Sequence, residues 1–264
     1  MHLSEIWIYP VKSLGGIRLT KAQVEERGLQ YDRRWMIVDE NARFITQREI
    51  NKMAILDVAL TEKGLLLSHR FESESNVLVP YKPVSATPLQ VTVWDDSLEA
   101  LTVSNDADDW LSNQLGKKVS IVMMPKSTER KADPRYAVNG ENVSFADGFP
   151  FLLISEASLE DLNSKLSEVI LMKRFRPNFV VSGAEPFGED AWKSIQIGTI
   201  GFNVVKPCAR CILTTINPET GEKGSEPLKT LASYRRVNNK VLFGQNLVAS
   251  QTGTVREGDE IALL

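Results

Sequence analysis

Along the first hundred residues, apolar and polar positions alternate in short runs broken by turn residues. "LSEIWIYPV" and "GIRLTKAQVE" both alternate, and "RRWMIVDENARFIT" predicts two strands around a turn at Asp39, Glu40, Asn41 and Ala42. "GLLLS", "LQVTVWDDS" and "EALTVS" continue at similar spacing. A period of two, repeated in short segments, is the pattern of an all-β barrel or sandwich. A helix is predicted in "NDADDWLSNQLGKK", where acidic residues crowd the first turn and Gly116, with Lys117 and Lys118, marks the end.

The second half mixes the two periods. In "SEASLEDLNSKLSEVI", Ser158 and Asp161 fit a capping box, and Leu159, Leu162 and Leu166 share one face. "SEPLKTLASYRR" predicts a third helix, with Pro227 in its first turn and Leu228, Leu231 and Tyr234 at helical spacing. "NFVVSG", "IGFNVVK", "CILTTI" and "DEIALL" read as strands around these helices. The expected fold class is therefore α+β, predominantly β. A β-barrel-like N-terminal domain over residues 1–118 would precede a second domain over 119–264. No repeat or low-complexity segment interrupts either.

Composition narrows the function. The 264 residues carry a net charge of -3, which argues against a general nucleic-acid binder. No apolar run approaches the roughly 18 residues that span a bilayer, so no membrane partner is expected. "MHLSEIWIYPVKS" lacks the charged and apolar regions of a secretory signal. Two cysteines, Cys208 and Cys211, cannot build a disulfide framework, and a reducing, cytoplasmic setting is expected. The two histidines, His2 and His69, have no acidic or cysteine neighbour at ligand spacing. His69, at the polar end of "GLLLSHRFES", reads as a strand-end surface residue, and imidazole chemistry is not expected.

Both cysteines fall within "KPCARCILTTINPETGE". A zinc knuckle would need a second pair. A thioredoxin-like dithiol would sit at a helix N-terminus, whereas the strand-like "ILTTI" follows here. That leaves one thiolate ligating a cofactor, or two small buried hydrophobes. Basic residues bear on the choice. If "RFRPNF" is extended, Arg174, Arg176 and Asn178 share a face and suit an oxyanion; otherwise they mark a solvated strand edge. "YPVKS" and "YDRRW" add Lys12, Arg33 and Arg34, and Arg210 stands between the cysteines. Together they suggest an anionic ligand held beside a thiolate.

Seven segments carry a resemblance: "IWIYPVKSLGGI", "GLQYDRRWMIVDE", "FADGFPFLLISEASLEDLN", "RFRPNFVVSG", "PCARCILTTINPETGE", "PLKTLASYRR" and "LFGQNLV". In this order and spacing the chain resembles the MOSC family, in the branch with an N-terminal β-barrel domain that includes the mitochondrial amidoxime-reducing components. The resemblance implies a β-barrel-like MOSC domain after the N-terminal one. It also implies the molybdenum cofactor, a pterin dithiolene with a terminal phosphate, with a protein thiolate as a further molybdenum ligand.

Matched position by position, Cys211 takes the place of the metal ligand. Lys12, Arg33, Arg176 and Asn178 take cofactor-contacting places, with Arg210 and Asp147 as further ones, and Asp147 is the candidate proton donor. Cys208 is present in many relatives too. The resemblance implies reduction of N-hydroxylated compounds, such as amidoximes and N-hydroxylated bases. The other reading is a non-catalytic cofactor carrier or sulfur-transfer module. Two cysteines cannot hold the four-cysteine iron–sulfur cluster of some relatives, and pyridoxal phosphate would need a further domain; neither is expected. No G-x-G-x-x-G follows a strand, so electrons are expected from a separate electron-transfer protein.

Overall fold

Phe151, Phe179 and Phe202 meet ring to ring in the computed structural model, which describes residues 1–264 apart from Ser73. Their centroids lie 5.3–5.5 Å apart, one pair stacked and two edge-on. Around them Leu3, Ile6, Leu153, Val181, Ile195 and Leu247 are fully buried. This core brings in strands from both ends of the chain. The largest sheet runs Ile261–Leu263, Ser194–Ile197, Ile200–Arg210, Lys240–Ala249, Phe151–Ser155, Phe179–Ser182, His2–Ile8, Ile17–Leu19, with Arg236–Val237 added beside Lys240–Ala249.

The first strand of the chain thus pairs with Phe179–Ser182, and Lys21–Glu25 pairs with Gly253–Arg256 near the C-terminus. A second sheet joins Trp35–Asp39, Val119–Met123, Asp96–Thr102 and Pro88–Val93. Val119–Met123 therefore adds to strands that precede it, and the pairing runs across position 118/119. A further sheet of three strands spans Leu56–Pro80, and its inward positions Leu65, Leu67 and Val79 join Trp35, Ile37, Leu111 and Ile121 in a second core. The described residues are predominantly β with three α-helices: α1 (Asn105–Leu115), α2 (Glu156–Asn163) and α3 (Leu228–Tyr234). Among the described residues no helix is long and apolar enough to cross a membrane.

α1 follows the sequence pattern, and Gly116 takes the left-handed C-cap at φ 64°. α2 starts three residues before the expected capping box. Ser155 caps it, its Oγ accepting from Ser158 N at 3.2 Å, because the preceding strand ends there in an extended conformation. Ser158 instead turns inward, where its hydroxyl and that of Ser155 both donate to Glu189, each at 2.8 Å. α2 also forms the crossover between Phe151–Ser155 and Phe179–Ser182, which run parallel.

Three other expectations change. The turn at Asp39–Ala42 forms, but its returning limb makes only single bridges at Arg43 and Phe44. "ILTTI" is not a strand: Ile212–Thr215 is a 3-10 turn, in which Thr214 and Thr215 hydroxyls donate back to the Cys211 and Ile212 carbonyls at 2.9 and 2.8 Å. These local bonds override the β propensity of the side chains. "RFRPNF" is not extended either, because Met172–Arg174 is a 3-10 turn and Arg176 is left-handed at φ 57°.

Glu189 is 0% exposed, as are its partners Ser155 and Ser158. Glu189→Ala leaves buried donors without their acceptor, and urea denaturation should show a loss of about 2 kcal/mol. An unchanged midpoint would contradict a structural role for this carboxylate.

Candidate functional site

The strand Ile200–Arg210 carries two register shifts, at Val204/Lys206 and at Pro207/Ala209. Proline cannot donate to the ladder, and bulges of this kind bend a strand and re-aim its side chains. The strand ends on Arg210, and Cys211 then caps the 3-10 turn. Cys208, Arg210 and Cys211 thereby line one cleft, Cys211 exposed and Cys208 half-buried. Arg210 donates from Nη1 to Cys208 Sγ at 2.9 Å and from Nη2 to the Phe175 carbonyl at 2.6 Å.

Lys12 reaches the same cleft from the segment after the strand His2–Ile8. Its backbone N–H is held by the Trp35 carbonyl at 2.8 Å, and the residue is 6% exposed. Its ammonium donates to the Phe145 carbonyl at 2.8 Å and to Asp147 Oδ1 at 2.6 Å. Burial lowers the Lys12 pKa, against the pull of Asp147. Partial desolvation against the cleft wall works to raise the Asp147 pKa, but Lys12, then Arg48 and Arg33, outweigh it and hold the carboxyl well below its ordinary range. Asp147 itself remains open to solvent.

Asp147 lies in a long irregular stretch, residues 124–150, which needs anchoring. Arg130 supplies it from a 7% exposed position. Its guanidinium donates to the Ser144 and Ala146 carbonyls at 2.8 and 2.6 Å and to Asp96 at 2.7 Å.

Arg33 and Arg176 line the same cleft. Arg33 donates to Asp32 Oδ2 at 2.6 Å, Asn178 Oδ1 at 3.2 Å and the Arg176 carbonyl at 3.1 Å. Arg176 donates to the Leu14 carbonyl at 2.7 Å. Its pKa is pulled down to about 10, first by burial and then by Arg33, and it is a cation at neutral pH. Asn178 is 1% exposed and ties strands together: its Oδ1 accepts from Leu152 N as well as Arg33, and its Nδ2 donates to the Trp7 carbonyl. Ser13, Arg33 and Arg176 all have positive φ, 67°, 49° and 57°. Such conformations are uncommon for residues other than glycine and gather where the surrounding structure dictates them.

All seven candidate residues, Lys12, Arg33, Asp147, Arg176, Asn178, Arg210 and Cys211, thus line one cleft. Arg174 does not. Its 3-10 turn carries it toward the Glu226 carbonyl at 3.4 Å, away from Arg176, which corrects the expected shared face. Arg34 also turns away, to pair with Glu25. His69 ends its strand outside the cleft, as its pattern suggested, but its side chain is half-buried rather than on the surface. Sequence reasoning missed Arg48, which lines the cleft and rests 4.4 Å from the Trp94 ring. It also missed buried Asp32, which fixes Arg33. Neither stands out in "TQREI" or "YDRRW", where one more charge in a polar stretch carries no signal.

The balance of charge decides what the cleft can hold. Lys12, Arg33, Arg48, Arg176 and Arg210 line it, and among the described residues Asp147 is the lone carboxylate that does. Such a cluster suits an anion with several oxygens. Among the described residues no group of three His, Cys, Asp or Glu side chains could hold a metal ion. A metal beside Cys211 would have to arrive with ligands of its own.

Comparison with known proteins identifies the family. Residues 1–118 match the MOSC N-terminal beta barrel domain and residues 140–262 the MOSC domain. Mitochondrial amidoxime-reducing component 1 of Mus musculus is 33% identical over 280 residues, covering 99% of this chain and 82% of that protein. The chain belongs to the MOSC family. Mitochondrial amidoxime reducing component 2 of Homo sapiens is 30% identical, over 98% of this chain and 82% of that protein. The molybdenum cofactor sulfurase of Arabidopsis thaliana is 34% identical over 92% of this chain, but over 32% of its own length. In this MOSC protein both matched segments build the cleft: Lys12, Arg33 and Arg48 come from the first, and Asp147, Arg176, Arg210 and Cys211 from the second.

The depressed Lys12 pKa gives a test on sulfate, whose charge is constant across the range. Lys12 loses its proton as pH rises, before the ordinary lysine value of 10.5 is reached. Sulfate affinity measured by calorimetry should therefore begin to fall below that pH, and Lys12→Met should bind sulfate more weakly at neutral pH. Affinity that holds past pH 10.5, or a Lys12→Met variant that binds normally, would contradict the assignment.

Proposed function

We propose that this MOSC protein binds the molybdenum cofactor in the cleft, with Cys211 as a thiolate ligand to molybdenum, and reduces N-hydroxylated compounds. One observation carries the reading: an exposed thiol, Cys211, opens onto the same cleft as five cationic side chains. A soft thiolate suits a molybdenum centre that brings its own dithiolene sulfurs. The cations suit a phosphate and pterin, and two have donors to spare. Among the described residues, Arg176 has one protein acceptor, at Leu14, and Arg48 donates from Nε alone, to Thr46. The residues present fit the group. The names of the vertebrate relatives, and that of the plant sulfurase, point the same way.

When bound, the cofactor supplies two-electron reduction of an N–O bond, which with two protons yields the N–H compound and one water. The chain's own residues bind and orient. Lys12, Arg33, Arg48 and Arg176 hold the anionic end, while Asn178 fixes Arg33 rather than offering itself. Arg210 donates to Cys208 and so leaves the Cys211 thiolate free to ligate. Asp147 is ionised at neutral pH, so it steadies the Lys12 ammonium and does not donate the reaction's protons. These enter from solvent through the open side of the cleft. Electrons arrive across the surface from a separate protein, beside the exposed Cys211 and the 57% exposed Ile212.

A carrier or sulfur-transfer role is the second reading, favoured by the likeness to the plant sulfurase. Turnover separates the two. Protein from a host that makes the cofactor should reduce an N-hydroxylated benzamidine with reduced viologen as donor, and NADPH alone should not support it. Sustained turnover with NADPH and pure protein would refute the need for a partner; failure with every donor would favour the carrier. Cys211→Ser should abolish activity, because a hydroxyl replaces a soft ligand poorly, whereas Cys208→Ser should keep a substantial fraction. The reverse pattern would move the ligand to Cys208.

A further inference from the structure

Tyr9 lies just before Lys12 and is 1% exposed, yet among the described residues its hydroxyl meets no hydrogen-bond partner. A buried tyrosine usually satisfies that group. The ring is what the structure uses. The Arg33 guanidinium carbon lies 4.4 Å from its centroid and the Arg176 carbon 4.1 Å. The backbone ties the same residues together. Tyr9 N donates to Asp32 Oδ1 at 2.7 Å, and Arg33 N donates to the Tyr9 carbonyl at 2.9 Å. Gly16 clears the space, since a Cβ there would sit 2.4 Å from the ring.

Two guanidiniums held this close repel, and half-burial has taken part of the water from both. An aromatic ring presents negative π density to each cation, which an aliphatic side chain of similar volume does not. We propose that Tyr9 is a positioning residue, whose ring holds Arg33 and Arg176 together so that both can meet one anionic group of the ligand. Under the reading above, which this inference rests on, that group belongs to the bound cofactor, its phosphate being the natural match. The hydroxyl takes no part.

The test titrates the full chain, freed of cofactor, with inorganic phosphate, and records the melting temperature of each variant. Tyr9→Phe keeps the ring and should bind phosphate within about twofold of wild type, with a melting temperature no lower. Tyr9→Leu should bind about tenfold more weakly. Gly16→Ala, which leaves Tyr9 in place chemically but pushes its ring aside, should weaken binding in the same direction, and it serves where Tyr9→Leu fails to fold. Tyr9→Phe as weak as Tyr9→Leu, or Tyr9→Leu as tight as wild type, overturns the proposal. Arg176→Ala separates the two levels. If it binds phosphate normally, the anion site itself is refuted; if it binds weakly while the folded Tyr9→Leu and Gly16→Ala variants bind normally, only the role of Tyr9 falls.

Discussion

The confinement of several positive charges in one cleft is the constraint around which the rest of the structure is arranged. Removing an ion from water costs several kcal/mol unless partners replace the water. Lys12 is buried, and Arg33 and Arg176 are half-buried. Each is met by a small set of acceptors: Asp147 and the Phe145 carbonyl for Lys12, Asp32 and Asn178 for Arg33, the Leu14 carbonyl for Arg176. These acceptors balance part of the charge and leave an excess that an anion can complete. A cleft of this kind is less stable empty than filled, which is a common property of binding sites.

Holding the charges requires backbone shapes that a regular sheet does not provide. Ser13, Arg33 and Arg176 adopt left-handed conformations, and the strand leading to Cys211 is bulged twice. Residues 124–150 have no helix or strand, yet Arg130 binds their carbonyls and points Asp147 at Lys12. The cost of these distortions is set against the aromatic core, where Phe151, Phe179 and Phe202 lock the large sheet. Asn178 links the two regimes. It immediately precedes a core strand, yet its amide fixes a cleft arginine.

Much of this was legible in the sequence, for reasons that differ by residue. α1 could be read because Gly116 and its acidic first turn act locally. Lys12, Arg33, Arg176 and Cys211 could be found through their motifs, although nothing local says they converge. Arg174 was misplaced because Arg176 adopts a backbone that alternation cannot anticipate. The turn after Cys211 was misread because threonine hydroxyls bonding backward compete with a strong β propensity. Ser155 was passed over as a cap because Ser158 fitted the same pattern three residues later. Arg48 and Tyr9 meet rings and cations distant in sequence, and Asp32, although next to Arg33, is one more charge in a polar stretch, so no local pattern marks them.

The central claim is that the excess charge and the exposed thiol serve one ligand, the molybdenum cofactor. Its most direct test is paired metal and pterin analysis of the chain purified from a host able to make the cofactor, with reconstitution as a control against loss. The account predicts molybdenum and pterin in equal amounts, each close to the amount of protein. Zinc in their place, or neither molybdenum nor pterin even after reconstitution, would contradict it.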